Sequence, residues 1–176
     1  MDESIIARSL LQRAKVEKAG IAKLEGDWTA QRVLLEIMLS HPETVEHVAK
    51  EIDATYFEDG SCQAIAKLIF DTLRDHGKIN VAGLVEEQGD AGLKSEMLSL
   101  AMADDKYEEP LEAAIGCVAT VKRHEIKRRI QELTEAIQRS PDDPKLGEYM
   151  LQIQNLTKEI HNLNKKETDE RPRTQS

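Results

Sequence analysis

The sequence predicts an all-α fold, a bundle of short helices joined by one long helix to an antiparallel helical hairpin. Three observations lead there. Apolar residues recur at helical spacing almost throughout, and no stretch alternates as a strand does. From Leu111 to Arg139 only Gly116 interrupts a helix-favouring run. From Leu146 to Leu163 the apolar residues are spaced 3, 4, 3, 4 and 3 apart, which is a heptad seam.

Taken in order, residues 3–19 form a first helix with Ile5, Ile6, Leu10 and Val16 on one side and Gly20 as its stop. Its apolar face is thin, so residues 1–26 are expected to be a connector or arm. The bundle is expected to span 27–121. Asp27 or Thr29 can cap a helix bearing Val33, Leu34, Ile37 and Met38, which His41-Pro42 interrupts. Pro42 suits a first helical position, so a second helix runs from there to about Ile52. Tyr56 and Phe57 sit in a short turn after Asp53, and Glu58-Asp59-Gly60 makes a break. Ile65, Leu68, Ile69 and Leu73 then mark a helix that ends at Gly77. Asn80 caps a short helix with Val81, Leu84 and Val85, and Leu93, Met97, Leu100 and Ala101 build another. Helices this short are unstable alone in water, so they must pack on one another.

After Pro110 the character changes. The run from Leu111 to Arg139 is a helix of ~43 Å at about 1.5 Å per residue. Its first half, with Leu111, Ala114, Ile115 and Val118, is apolar enough to close the bundle. Its second half keeps only a narrow seam of Ile126, Ile130, Leu133 and Ile137. Ser140-Pro141-Asp142-Asp143-Pro144 is a sharp turn in which Asp143 caps a helix starting on Pro144. The last helix carries Leu146, Tyr149, Ile153, Leu156, Ile160 and Leu163, which gives a hairpin over 122–167. From Lys165 onward no apolar residue remains to be buried, and 168–176 is expected to be a disordered tail.

Composition narrows the function classes. The 176 residues include 24 basic and 33 acidic ones, a net charge of −9 that disfavours generic binding to phosphate backbones. Aromatics are 3%, so the core must be aliphatic. Two distant cysteines, Cys62 and Cys117, build no disulfide framework and suit a reducing, cytoplasmic compartment. No apolar run approaches the ~18 residues of a membrane span, and acids occupy the start where a signal peptide carries Lys or Arg.

No active site is legible. Gly77-Lys78 is followed by Ile79 and lacks the upstream glycine of a phosphate loop. None of the five histidines lies three residues after a glutamate, as a di-metal bundle requires. His124-Glu125 has no second histidine at zinc-protease spacing. Acid pairs such as Glu86-Glu87 and Asp142-Asp143 do not share a helix face. The chain is therefore expected to be non-catalytic by itself and to hold no metal or cofactor. The cations Lys122, Arg123, Lys127, Arg128 and Arg129, with His124, are read as the solvated side of the long helix, with a basic patch for an acidic partner surface or for single-stranded nucleic acid as the sharper alternative. Glu125 and Glu132 are interleaved with them, and the stretch has no aromatic platform for single strands.

The hairpin is the better candidate. Tyr149, Met150, Leu151 and Ile153 put four apolar side chains into five positions, more than one seam can cover. Apolar surface left over on a weakly packed helix marks a docking site for a partner. The candidate docking residues are Leu146, Tyr149, Met150, Ile153, Gln154, Leu156 and Ile160, with Tyr149 and Ile153 as anchors although Tyr149 also lies on the seam.

The segments TAQRVLLEIMLSHPETVEHV and DATYFEDGSCQAIAKLIFDTL, together with the long helix that turns at SPDDP, resemble the C-terminal helicase-binding domain of bacterial DNA primase. The resemblance runs from about Asp27 to Glu167 and rests on hydrophobic spacing, the HPE turn and the Tyr-Phe turn. It implies a bundle followed by a hairpin on one long helix. It also implies that the hairpin docks on the N-terminal domains of the hexameric replicative helicase, while the bundle modulates helicase and priming activity. Complete primases carry a zinc-binding domain and a polymerase domain upstream, and neither is present here. The chain is thus expected to be a fragment, monomeric when free. Two alternatives predict different behaviour. The collar domain of the helicase itself, similar in fold, would self-associate, whereas a small nucleic-acid-binding regulator would bind DNA in a salt-dependent way.

Overall fold

The computed structural model describes residues 29–104 and 106–169. The arm helix expected at 3–19, the capping role of Asp27 and residues 170–176 of the tail lie outside them. The described residues form seven α-helices and two 3-10 turns and contain no strand, so the fold is all-α. The chain divides into two compact units between Val121 and Lys122.

In the first unit, α1 (Thr29–Ser40) buries Ala30, Leu34, Leu35, Ile37, Met38 and Leu39, while Val33 is only half-buried. A helix that is apolar over so much of its circumference belongs in the interior. It packs against α3 (Gly60–His76) and α5 (Ala91–Ala101). The helix expected to run from Pro42 to Ile52 is divided. Pro42–Thr44 is a 3-10 turn, and α2 covers Val45–Glu51. The Thr44 hydroxyl donates to the His41 carbonyl at 2.8 Å, a local bond that competes with the regular helical ladder. Val45, Val48 and Ile52 then enter the core.

The Tyr56-Phe57 turn is built by side chains. The Asp53 carboxylate accepts from the Thr55 amide at 2.8 Å and starts a second 3-10 turn, Ala54–Tyr56. Phe57 follows, fully buried. Gln31, itself buried, accepts from the Glu58 amide at 2.9 Å, and the Gln63 side chain donates to the Phe57 carbonyl at 3.2 Å. These bonds satisfy backbone groups that Phe57 carries toward the core, where an unpaired amide would cost about 1–3 kcal/mol.

Three helices in succession start on an acid or amide cap. Asp59 accepts from the Cys62 amide before α3, and Asn80 from that of Gly83 before α4 (Val81–Glu87). Asp90 accepts from that of Leu93 before α5. Each such cap stabilises its helix by roughly 1 kcal/mol. Gly77 ends α3 in the left-handed region at φ 69°, which a side chain would strain. The long helix α6 runs from Pro110 to Arg139. Its contribution to the first core is Ala114, Cys117, Val118 and Val121. Leu111, expected among them, is exposed instead. It lies in the first turn, and the covered stripe begins one turn later.

The second unit consists of residues 122–139 of α6 and of α7 (Leu146–Asp169). The cap at the turn differs from expectation. The Asp143 carboxylate accepts from the Lys145 amide at 2.8 Å and its carbonyl accepts from the Leu146 amide at 3.0 Å. Pro144 and Lys145 therefore make a turn, and the α-helix starts two residues later than Pro144. Asp prefers this bond to the amide two residues on. At the other end α7 continues through Lys165 to Asp169, inside the stretch expected to be a tail. Nothing in Lys165-Lys166-Glu167 breaks a helix, and lysines near a C-terminus complement the helix dipole.

Both cysteines are buried, and burial pushes each thiol up to about 12. The Asp59 carboxylate adds to the effect at Cys62 and the Glu36 carboxylate at Cys117. The thiolate is the reactive form, so neither cysteine should react with a thiol reagent at neutral pH in the folded chain. Titration with a chromogenic disulfide should register two thiols only after denaturant is added; prompt labelling of the native chain would contradict this packing. A second outcome concerns the turn. Phe57→Ala removes the one fully buried aromatic ring among the described residues and should cost about 3–5 kcal/mol in urea unfolding.

Candidate protein-docking surface

Helix α7 shows an undivided pattern of exposure. Leu146, Tyr149, Ile153, Leu156, Ile160 and Leu163 are half-buried, and every residue between them is exposed. On α6 the facing stripe is Ile126, which is buried, with Ile130, Leu133 and Ile137 half-buried. The Arg123 side chain donates to Asn164 Oδ1 at 3.1 Å, far from the turn on both helices. That bond and the turn at 140–145 fix an antiparallel register. Counted from that bond in antiparallel order, positions 126, 130, 133 and 137 of α6 fall nearest 160, 156, 153 and 149 of α7. The four rungs form one apolar seam, and no second stripe of α7 is covered.

The seam sorts the candidate docking residues. Leu146, Tyr149, Ile153, Leu156 and Ile160 are half-buried positions of α7, on its seam side. The expected anchors Tyr149 and Ile153 therefore face inward, because heptad positions on a two-helix unit point at the partner helix. What remains outside is Met150, 60% exposed, and Leu151, 58% exposed, with Gln154 beside them. Leu151 stood in the crowded run of the sequence, yet its weight as a surface residue was hidden until the seam was placed.

The basic cluster is largely engaged. Arg128 makes a two-pronged pair with Glu125, at 2.8 and 2.9 Å, and also reaches Glu132. Arg129 meets Glu125 at 3.2 Å. Arg123 is buried and turned toward Asn164, which corrects the reading of it as solvated; Lys122 is half-buried and Lys127 and Arg129 are exposed. Glu125 lies nearly buried among these guanidinium groups, so the cluster is a lattice of charges along one helix.

The first unit exposes apolar side chains that the sequence reading passed over. Leu98 and Met102 stand one turn apart at the end of α5, Met102 80% exposed, and Leu111 is exposed at the start of α6. The signal was present: Met97, Leu98, Leu100, Ala101 and Met102 crowd six positions, as 149–153 do. Among the described residues no group of His, Cys, Asp and Glu is placed to hold a metal ion, and no helix is long and apolar enough to cross a membrane.

Compared with protein-family models, with characterised proteins and with solved structures, the chain matches none.

The seam separates two kinds of substitution. Ile153→Ala should lower hairpin stability by about 1–2 kcal/mol, below the roughly 2–5 kcal/mol of a fully buried isoleucine because the site is only half-buried. Leu151→Ser should stay within about 0.5 kcal/mol. Amide hydrogen exchange along α7 reads both, and equal losses would place Leu151 in the seam.

Proposed function

We propose that this chain is a protein-interaction module, the helicase-binding part of a bacterial DNA primase. In this reading it recruits primase to the hexameric replicative helicase through the helicase's N-terminal domains. It has no catalysis of its own and acts in the cytoplasm. The observation that carries the reading is the exposed Met150-Leu151 pair on a hairpin whose single seam is already closed. Apolar side chains left outside a completed seam suit a partner surface that excludes water from them, with Gln154 and its polar neighbours as the rim. The likeness of the leucine-rich opening, the Tyr-Phe turn and the SPDDP turn to the primase domain supplies the partner's identity.

The nucleic-acid reading is weaker on the same page. Three of the five cations it would use on α6, Arg123, Arg128 and Arg129, are bonded to Asn164, Glu125 or Glu132, and no aromatic lies in the stretch to stack a base.

Calorimetric titration of the chain into the replicative helicase hexamer tests the proposal. Saturable binding is expected, and the double substitution Met150→Ser, Leu151→Ser should weaken it by about 2–3 kcal/mol, as loss of a central apolar anchor does. Tyr149→Ala should act differently, loosening the hairpin and weakening binding only together with it. Absence of heat and of co-sedimentation for the intact chain would sink the proposal.

A further inference from the structure

The outward face of α7 has a second feature besides its apolar pair. At 3.6 residues per turn, Leu151, Gln154, Lys158, His161 and Lys165 fall in a stripe about 100° wide opposite the seam, with Met150 at its edge. All six are exposed. From Leu151 to Lys165 the stripe holds no carboxylate, although the chain carries nine more acids than bases, and Asp169 continues it one turn beyond Lys165. The acids of this part of α7, Glu148 and Glu159, lie to one side of it. Neither Lys158 nor His161 has an acid three or four residues away in either direction.

Elsewhere the cations are of two kinds: among the described residues Lys78, Lys127 and Lys145 are exposed without an ion pair, and others are paired. Lys50, Lys67, Arg74, Arg128 and Arg139 each pair with an acid one helical turn along the same helix. Among the described residues, Lys158, His161 and Lys165 make no ion pair. The stripe therefore runs from an apolar end near the turn, through an amide at Gln154, to a cationic end about 21 Å away at roughly 1.5 Å per residue.

We propose that this stripe is a bipartite docking ridge for an acidic amphipathic helix of the partner protein. The partner's apolar residues cover Met150 and Leu151, and its carboxylates lie along Lys158, His161 and Lys165. This rests on the helicase-docking reading and adds the chemistry of the surface that the helicase must present. The occupant follows from complementarity. Four turns of cationic and apolar surface match a helix of about 15 residues, and unpaired cations on an acidic protein attract the opposite charge and set its orientation. A nucleic-acid strand would use the cationic end but leave Met150 and Leu151 wet.

The test is the helicase titration at low and at high salt with the intact chain, with Lys158→Glu/Lys165→Glu and with Glu148→Lys/Glu159→Lys. Circular dichroism confirms that each variant is helical. Affinity of the intact chain should fall on adding salt. Reversal of the two lysines should cost about tenfold or more and remove most of the salt dependence, while reversal of the two glutamates should not weaken binding. Binding of the intact chain that is indifferent to Lys158→Glu/Lys165→Glu would overturn the ridge and leave the docking reading standing. No binding by the intact chain would overturn both. Two controls oppose the assignment of the occupant. Uptake of a single-stranded oligonucleotide that disappears on lysine reversal would assign the stripe to nucleic acid, and self-association that disappears likewise would assign it to a second copy.

Discussion

Two helices can hide only one stripe of each other, and the second unit is organised around that limit. Every residue of α7 from Leu146 to Leu163 is either one of six half-buried seam positions or exposed. The seam uses the residues that a heptad pattern nominates, and it leaves the neighbours of Tyr149 and Ile153 outside. Met150 and Leu151 are exposed because the positions beside them are taken. The exposed surface follows from the closure of the hairpin and is no flaw in its packing.

The same helix that supplies half of the seam also supplies a wall of the first core. Along α6 the buried residues change from Ala114, Cys117, Val118 and Val121 to Ile126 and its half-buried successors. A small-residue face suits a bundle of closely packed short helices, and larger isoleucines suit a two-helix seam, where one side chain must span more of the gap. The first core, poor in aromatics, gives Phe57, the one fully buried ring among the described residues, a polar frame. Gln31 and Gln63 hold the two polar groups of the single peptide that links Phe57 to Glu58, so the turn that delivers the ring is tied to α1 and α3.

Much of this was legible in the sequence, and the departures share a cause. Helical periodicity placed the helices, and the caps Asn80 and Gly77 and the seam from Leu146 to Leu163 stand where spacing alone set them. Within the crowded run 149–153 the heptad rule names Tyr149 and Ile153 for the seam, and both are half-buried while Met150 and Leu151 are exposed. Which of the four a partner would touch depends on the surface that partner presents, and spacing carries no information on that. Local side-chain bonds account for the altered starts, Thr44 at the 3-10 turn and Asp143 at the hairpin turn, because a hydroxyl or carboxylate can satisfy backbone groups before the helix does. Gln31, a polar residue on an apolar helix face, has no signature in spacing because its role depends on the distant Glu58 amide.

A unit held by one seam has a consequence for any partner it meets. Its free stability is small, because four rungs offset the ordering of two long helices by only a narrow margin. A partner that binds the folded hairpin alone stabilises it in proportion to the logarithm of its concentration over its dissociation constant, so docking and ordering reinforce each other. Positions that carry the seam then influence binding without touching the partner, through the population of closed hairpin. Positions on the outer face influence binding directly and leave the hairpin as stable as before. The half-buried and exposed residues of α7 alternate so regularly that the two classes lie side by side on one helix, and a substitution at 149 and one at 151 probe different equilibria.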